Sequence, residues 1–265
     1  MCILALATAS QTHAASISGW AVHNGTSTVG GTPASPTFTA GDNITIMAPF
    51  ERITLDANGE FVKVTTTLTL NQRTANTGVT ALNTQLRAGI FNGPDGSVVA
   101  SDVPNTGYTI EYSNLAAGGL LRTQTSAVQN SPFTSPTSIT NGSPDAGGDS
   151  IRGANPGAVM FEITMTRAGG LLNLTGAISG TDSTTGNPFL ATFTTSGHSS
   201  TAFPANGAFA FNRIGLFLGP NVDATNAVVT NSTVTTNVPE PQTCLLAAMA
   251  AVSGMALKPR TRIAS

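Results

Sequence analysis

The chain has almost no cysteine: Cys2 and Cys244 are the two among 265 residues. Both fall in apolar stretches near the termini, so the long region between them has no disulfide, thiolate nucleophile or Cys-ligated metal. Charge is scarce too. Asp, Glu, Lys and Arg make up 9% of the residues, against about a quarter in ordinary soluble domains. No basic cluster marks the body, which argues against a nucleic acid as partner. Three histidines, one Trp and two Tyr leave few general bases and few aromatic platforms. Helical periodicity is missing from the body as well.

What replaces charge is hydroxyl and amide. Ser, Thr and Asn are abundant beside 28 Gly and 15 Pro, a composition that stays hydrated without ions and suits an exported protein. The net charge of −2 hides an asymmetry. All 13 acidic residues precede Cys244, while three of the 11 basic ones follow Leu257, so the body is more acidic than the whole.

The body reads as short strands and turns. Phe61 to Leu70 alternates at period two through Val62, Val64, Leu68 and Leu70, as a half-buried strand does. Gln85 to Phe91 is a second strand, stopped by the turn chemistry of Asn92-Gly-Pro-Asp-Gly96. Ala158 to Arg167 and Leu171 to Ser179 flank an Ala168-Gly-Gly170 turn. Asn43 to Met47, Ile53 to Asp56, Tyr108 to Ser113, Phe189 to Thr195, Phe209 to Leu218 and Ala227 to Thr236 add further strands. Ten to twelve short strands with turns between them predict an all-β antiparallel sandwich as a single domain over 16–237. A Ser-, Pro-, Asn- and Gly-rich stretch near 124–155 reads as a long polar loop.

The last part of the chain is different. Val238-Pro-Glu-Pro241 is held extended by two prolines, which fix φ and remove backbone donors. Cys244 to Leu257 is uncharged and made mostly of good helix formers. As a helix it spans roughly 21 Å, short of the ~30 Å hydrocarbon core. Lys258, Arg260 and Arg262 follow where a cytoplasmic stop belongs. A buried terminal helix of the body would leave the proline hinge and three cations unexplained; an uncut tail anchor would explain them. At the other end Met1 to Ala9 is apolar, and Thr12-His-Ala14 or His13-Ala-Ala15 offers small residues for signal peptidase. This predicts a signal peptide over 1–15. No Lys or Arg precedes Arg52, so its expected start lies upstream of Met1.

Pro-Glu-Pro, apolar helix 244–257 and basic stub, in that order, resemble the PEP-CTERM sorting signal of Gram-negative and related bacteria. The resemblance covers about the last tenth of the chain, 238–265. It implies export by the secretory translocon, transient anchoring in the inner membrane by the helix, and processing near Val238, Pro239, Glu240 and Pro241 by an exosortase. It also implies a destination at the cell surface or in an extracellular matrix, with exopolysaccharide as a partner. Separately, Phe209 to Leu218, the following Gly219 to Ala224, Ala227 to Thr236, and the order Phe38 to Ile46 resemble strands of concanavalin A-like (laminin G-like) jelly rolls. That pattern implies a jelly-roll sandwich followed by the short C-terminal hydrophobic helix.

Catalytic patterns are not found. Sandwich glycosidases place paired carboxylates on one strand, whereas Glu111 and Glu162 stand alone and read as outward-facing strand residues. There is no Gly-x-Ser-x-Gly elbow. His198, in Ser196-Gly-His-Ser-Ser200, reads as a solvated loop histidine, and His23 would need a third ligand to share a metal with it. Asp145-Ala-Gly-Gly-Asp149 is the one acidic cluster; it offers weak calcium candidates, Asp145 and Asp149, with a polar turn as the plainer reading. Sugar stacking would have to use Trp20, Tyr108 and Tyr112. The expectation is therefore a non-enzymatic surface or matrix protein without cofactor, with a lectin-like carbohydrate-binding module as the alternative.

Overall fold

The computed structural model describes residues 12–17, 19–39, 44–71, 85–95, 98, 105–113, 120–124, 133, 137–141, 158–181, 186, 188–198, 209–219 and 226–239. Fifteen strands lie among them. The early ones are β1 (His13–Ser16), β2 (Ala21–Asn24), β3 (Val29–Thr32), β4 (Ser35–Thr39) and β5 (Ile44–Leu55). Then come β6 (Phe61–Asn71), β7 (Gln85–Asn92), β8 (Thr106–Ser113), β9 (Leu120–Gln124) and β10 (Thr137–Asn141). The rest are β11 (Ala158–Ala168), β12 (Leu171–Thr181), β13 (Pro188–His198), β14 (Phe209–Leu218) and β15 (Asn226–Thr236).

Every ladder is antiparallel. An eight-stranded sheet runs β13-β12-β11-β6-β15-β4-β3, with β1 sharing the β4 side of β15. A seven-stranded sheet runs β10-β9-β8-β7-β14-β5-β2. Their inner faces meet in one core. Val62, Val64, Leu68, Val159, Phe161, Ile163, Leu174 and Ile178 come from the first sheet, and Ile46, Leu86, Ile90, Ile110, Phe211, Ile214 and Leu216 from the second. Trp20 closes one side, edge-on to Phe38 with ring centroids 6.4 Å apart. The all-β antiparallel sandwich expected from the alternation is what the chain forms.

Several expectations change in detail. The two strands read at Asn43 to Met47 and Ile53 to Asp56 are one, β5, which continues through Pro49. The register against β14 jumps between Phe211, opposite Ile53, and Arg213, opposite Pro49. This bulge takes in a residue that cannot donate to a ladder. The region near 124–155 is not loop throughout, since β10 lies within it and pairs with β9. His198 ends β13 instead of sitting in a loop. The C-terminal helix expected over 244–257 lies outside the described residues. Among the described residues no helix is long and apolar enough to cross a membrane.

The outer faces of the two sheets differ. On the eight-stranded sheet the outward row of β6 is Lys63, Thr65, Thr67 and Thr69, all half-buried. Lys63 pairs with Glu162 on β11 at 2.7 Å. On the seven-stranded sheet the described outward side chains of β7 and β14 are buried. Met47, Phe91 and Phe217 form a second apolar cluster with Val98 and Phe133, and β14 is buried at every residue.

Candidate functional site at the chain exit

The end of β15 is fastened side chain by side chain. Thr236 Oγ1 donates to the Phe61 carbonyl at 2.7 Å and accepts the Val238 N–H at 3.1 Å. Asn237 Oδ1 accepts the Phe61 N–H at 2.8 Å, while its Nδ2 donates to the Gly59 carbonyl at 3.1 Å. Val238 packs against the main core. Pro239, the next residue, is exposed. The transition from fastened chain to exposed chain is completed between those two residues.

β1 begins at the same place, with His13 opposite Thr236. Between this pair of strands and the bulge of β5 lies a groove of about 290 Å³. Ile53 and Val234 give it an apolar wall; His13, Glu51, Arg52 and Asp56 give it a polar rim. Arg52 is already committed. It donates through Nη2 to Asp95 at 2.7 Å and to the Gly93 carbonyl at 2.9 Å, and through Nη1 to Asn92 Oδ1. The Arg52 guanidinium, helped by the Asn212 amide, holds the Asp95 carboxyl below its ordinary value. Asn212 also bonds both polar groups of Gly93. This network fixes the Asn92-Gly-Pro-Asp95 turn beside the groove, and it is structural chemistry.

A second polar centre lies under the covered outer face of the seven-stranded sheet. Arg87 and Glu111 face each other across β7 and β8 and meet at 2.5 Å, with 7% and 1% of their side chains exposed. The Arg87 guanidinium also donates to the Phe133 carbonyl and lies 5.2 Å from the centre of the Phe217 ring. Glu111 is thus not the outward, solvated strand residue expected. Its alternation was read correctly, but the face it points to is itself covered. Buried so deeply, the pair braces the second cluster and offers no accessible acid.

The remaining expectations fall as follows. Of the sorting signal, Val238 and Pro239 are described at the chain exit; Glu240, Pro241, Lys258, Arg260 and Arg262 lie outside the described residues. So do the calcium candidates Asp145 and Asp149. Among the described residues no group of three or more His, Cys, Asp and Glu could hold a metal ion. His23 is buried on β2 and its Nδ1 lies 2.7 Å from the Val98 carbonyl. β2 edges one sheet and β13, with His198, edges the other, so the two histidines are not brought together. Glu162 is half-buried, facing outward as read, and ion-paired. Trp20 and Tyr108 are buried, and burial pushes the Tyr108 hydroxyl up; neither is a platform for sugar. The Tyr112 side chain is outside the described residues. The signal for the groove that sequence reading missed was faint: a lone Pro49 inside an otherwise strand-like run.

No family model matches the chain, and no curated protein matches it. Solved structures of similar shape do exist. The basic winged bean lectin with Tn-antigen aligns at 10% identity and a TM-score of 0.48, covering 85% of this chain and 97% of that one. Arcelin-5, a lectin-like defense protein from Phaseolus vulgaris, aligns at 10% identity and 0.47, with the same coverage. The metal-free carbohydrate recognition domain of Emp46p aligns at 9% identity and 0.45, covering 83% of this chain and 89% of that one. These values are too low to transfer any residue's role.

Proposed function

We propose that this chain is a non-enzymatic exported protein of the cell surface or extracellular matrix, and that the segment from Val238 onward is its sorting signal. The observation carrying this reading is the chain exit. Thr236, Asn237 and Val238 are hydrogen-bonded or packed into the body, and Pro239 stands in solvent. A processing enzyme would meet Pro239 in solvent there, without opening either sheet. The body would pass through the secretory translocon, be held by helix 244–257 with Lys258, Arg260 and Arg262 on the cytoplasmic side, and be released or transferred by an exosortase-type enzyme. Exopolysaccharide is the partner this destination implies.

The sandwich would be a jelly roll of the concanavalin A-like kind. Its chain crosses repeatedly between sheets, as in β5 to β6 to β7 and β13 to β14 to β15, while β7 to β10 and β11 to β13 run as meanders. Lectin-like sugar binding, the other reading, gains no platform from Trp20 or Tyr108, which are inside.

The test is the intact mass of the protein recovered from the surface and medium of its native host. A mature C-terminus near Pro239 to Pro241 is the expected result. A full-length C-terminus in the inner-membrane fraction would reduce the segment to a plain anchor and overturn the proposal.

A further inference from the structure

Sheet edges expose unpaired backbone and invite pairing with another strand, so proteins keep them short, charged, bulged or covered. Three of the described edges follow that rule. β3 has four residues, two of them Gly. β2 has four and β10 five, and each carries a register irregularity. β13 does not follow it. It is eleven residues long, and Pro188 to Thr195 pair one for one with Thr181 to Leu174 of β12; its register irregularity falls after them, between Thr195 and His198. No Asp, Glu, Lys or Arg occurs from Ser183 to Asn212. The outward side chains Pro188, Leu190, Thr192, Thr194 and Ser196 are exposed, Leu190 at 52%.

We propose that β13 is a strand-pairing interface and that its partner is β13 of a second copy of this chain. Antiparallel pairing about Phe193 sets Thr192 of one copy opposite Thr194 of the other, and Leu190 opposite Ser196. This register brings no like charges together, and Thr–Thr pairs across strands are favourable. A charged peptide would find no counter-charge on this edge, whereas an uncharged strand complements itself. The next exposed apolar side chain on the same face is Met160, aligned with Leu190 through Ser179. Pairing through β13 would therefore set the uncharged outer rows of β12 and β13 side by side across two copies and join two eight-stranded sheets into one.

The test uses the full chain in detergent micelles, with mass read by light scattering and amide exchange read along β13. The wild-type chain should be a dimer with β13 amides protected on both sides. T192K/T194K should dimerise at least about tenfold more weakly, since like charges then face each other at two positions. Mixing T192K/T194K with T192E/T194E should restore a heterodimer, which an unfolded variant could not do. A monomeric wild-type chain would overturn the proposal. So would a dimer that survives T192K/T194K, or protected outer amides on a monomer, which would mean that another segment of the same chain covers the edge.

Discussion

The outward face of β6 and β11 and the outward face of β7 and β8 each carry one cross-strand ion pair, yet the two pairs live in different physics. Lys63 and Glu162 meet at 2.7 Å with about a third of each side chain in water. Arg87 and Glu111 meet at 2.5 Å almost wholly out of it. The first exchanges solvation for attraction at nearly no net gain. The second has already lost its solvation, so each partner depends on the other. Solvent-facing and covered faces can therefore be told apart by what happens when one charge is removed.

The largest effect should come from Glu111→Ala, which strands the Arg87 guanidinium under the second apolar cluster. We expect a loss of about 3–5 kcal/mol in urea unfolding, against less than about 1 kcal/mol for Glu162→Ala on the open face. Equal losses would mean that the two faces are not as different as described. A smaller contrast tests packing. A Cβ at Gly89 would stand 2.6 Å from the Phe91 ring and 2.9 Å from the Thr109 methyl, so Gly89→Ala should cost about 1–3 kcal/mol. Ala177→Val, on the open face of β12, should stay within about 0.5 kcal/mol.

The smallest effect is acid titration of the Arg52–Asp95 contact. The native carboxyl sits below its ordinary value of 3.8, so its contribution is present above the unfolded value. It is lost as pH falls through the native one. Asp95→Asn should remove that increment, lowering the melting temperature slightly at neutral pH and leaving it unchanged at acid pH, where the wild-type carboxyl is protonated too. High salt should shrink the increment, because Asp95 is mostly exposed. An unchanged acid limb in Asp95→Asn would show that another carboxylate governs it.

The contrast between faces was partly legible in the sequence. β6 alternates Val, Lys, Val, Thr, Thr, Thr, Leu, Thr and Leu after Phe61, which marks one wet face. β14 reads Phe-Ala-Phe-Asn-Arg-Ile-Gly-Leu-Phe-Leu, a nearly continuous apolar run that signals burial on both sides. Glu111 and Arg87 were harder, because alternation tells which face a residue joins but not what lies over it. The cover includes Val98 and Phe133, which lie outside the alternating strands themselves. The four- and five-residue strands β1, β2, β3, β4, β9 and β10 escaped notice since periodicity needs more positions to declare itself. At the chain exit the sequence reading ended the body at Asn237, whereas Val238 still packs against the core and Pro239 is exposed. The clamp by Asn237 and the nearby start of β1 depend on contacts across more than a hundred residues and left no local trace.

One consequence of the strand order concerns time. The last two strands of the body in sequence, β14 and β15, occupy interior positions: β14 between β7 and β5, β15 between β6 and β4 with β1. A nascent chain emerging from its N-terminus can form the β7 to β10 and β11 to β13 meanders, but neither sheet can close until Phe209 to Thr236 arrive. Folding must then insert two strands whose partners lie far back in the chain, a high-contact-order step that is intrinsically slow. The two sheets thereby stay unfinished until the residues of β15 have been made.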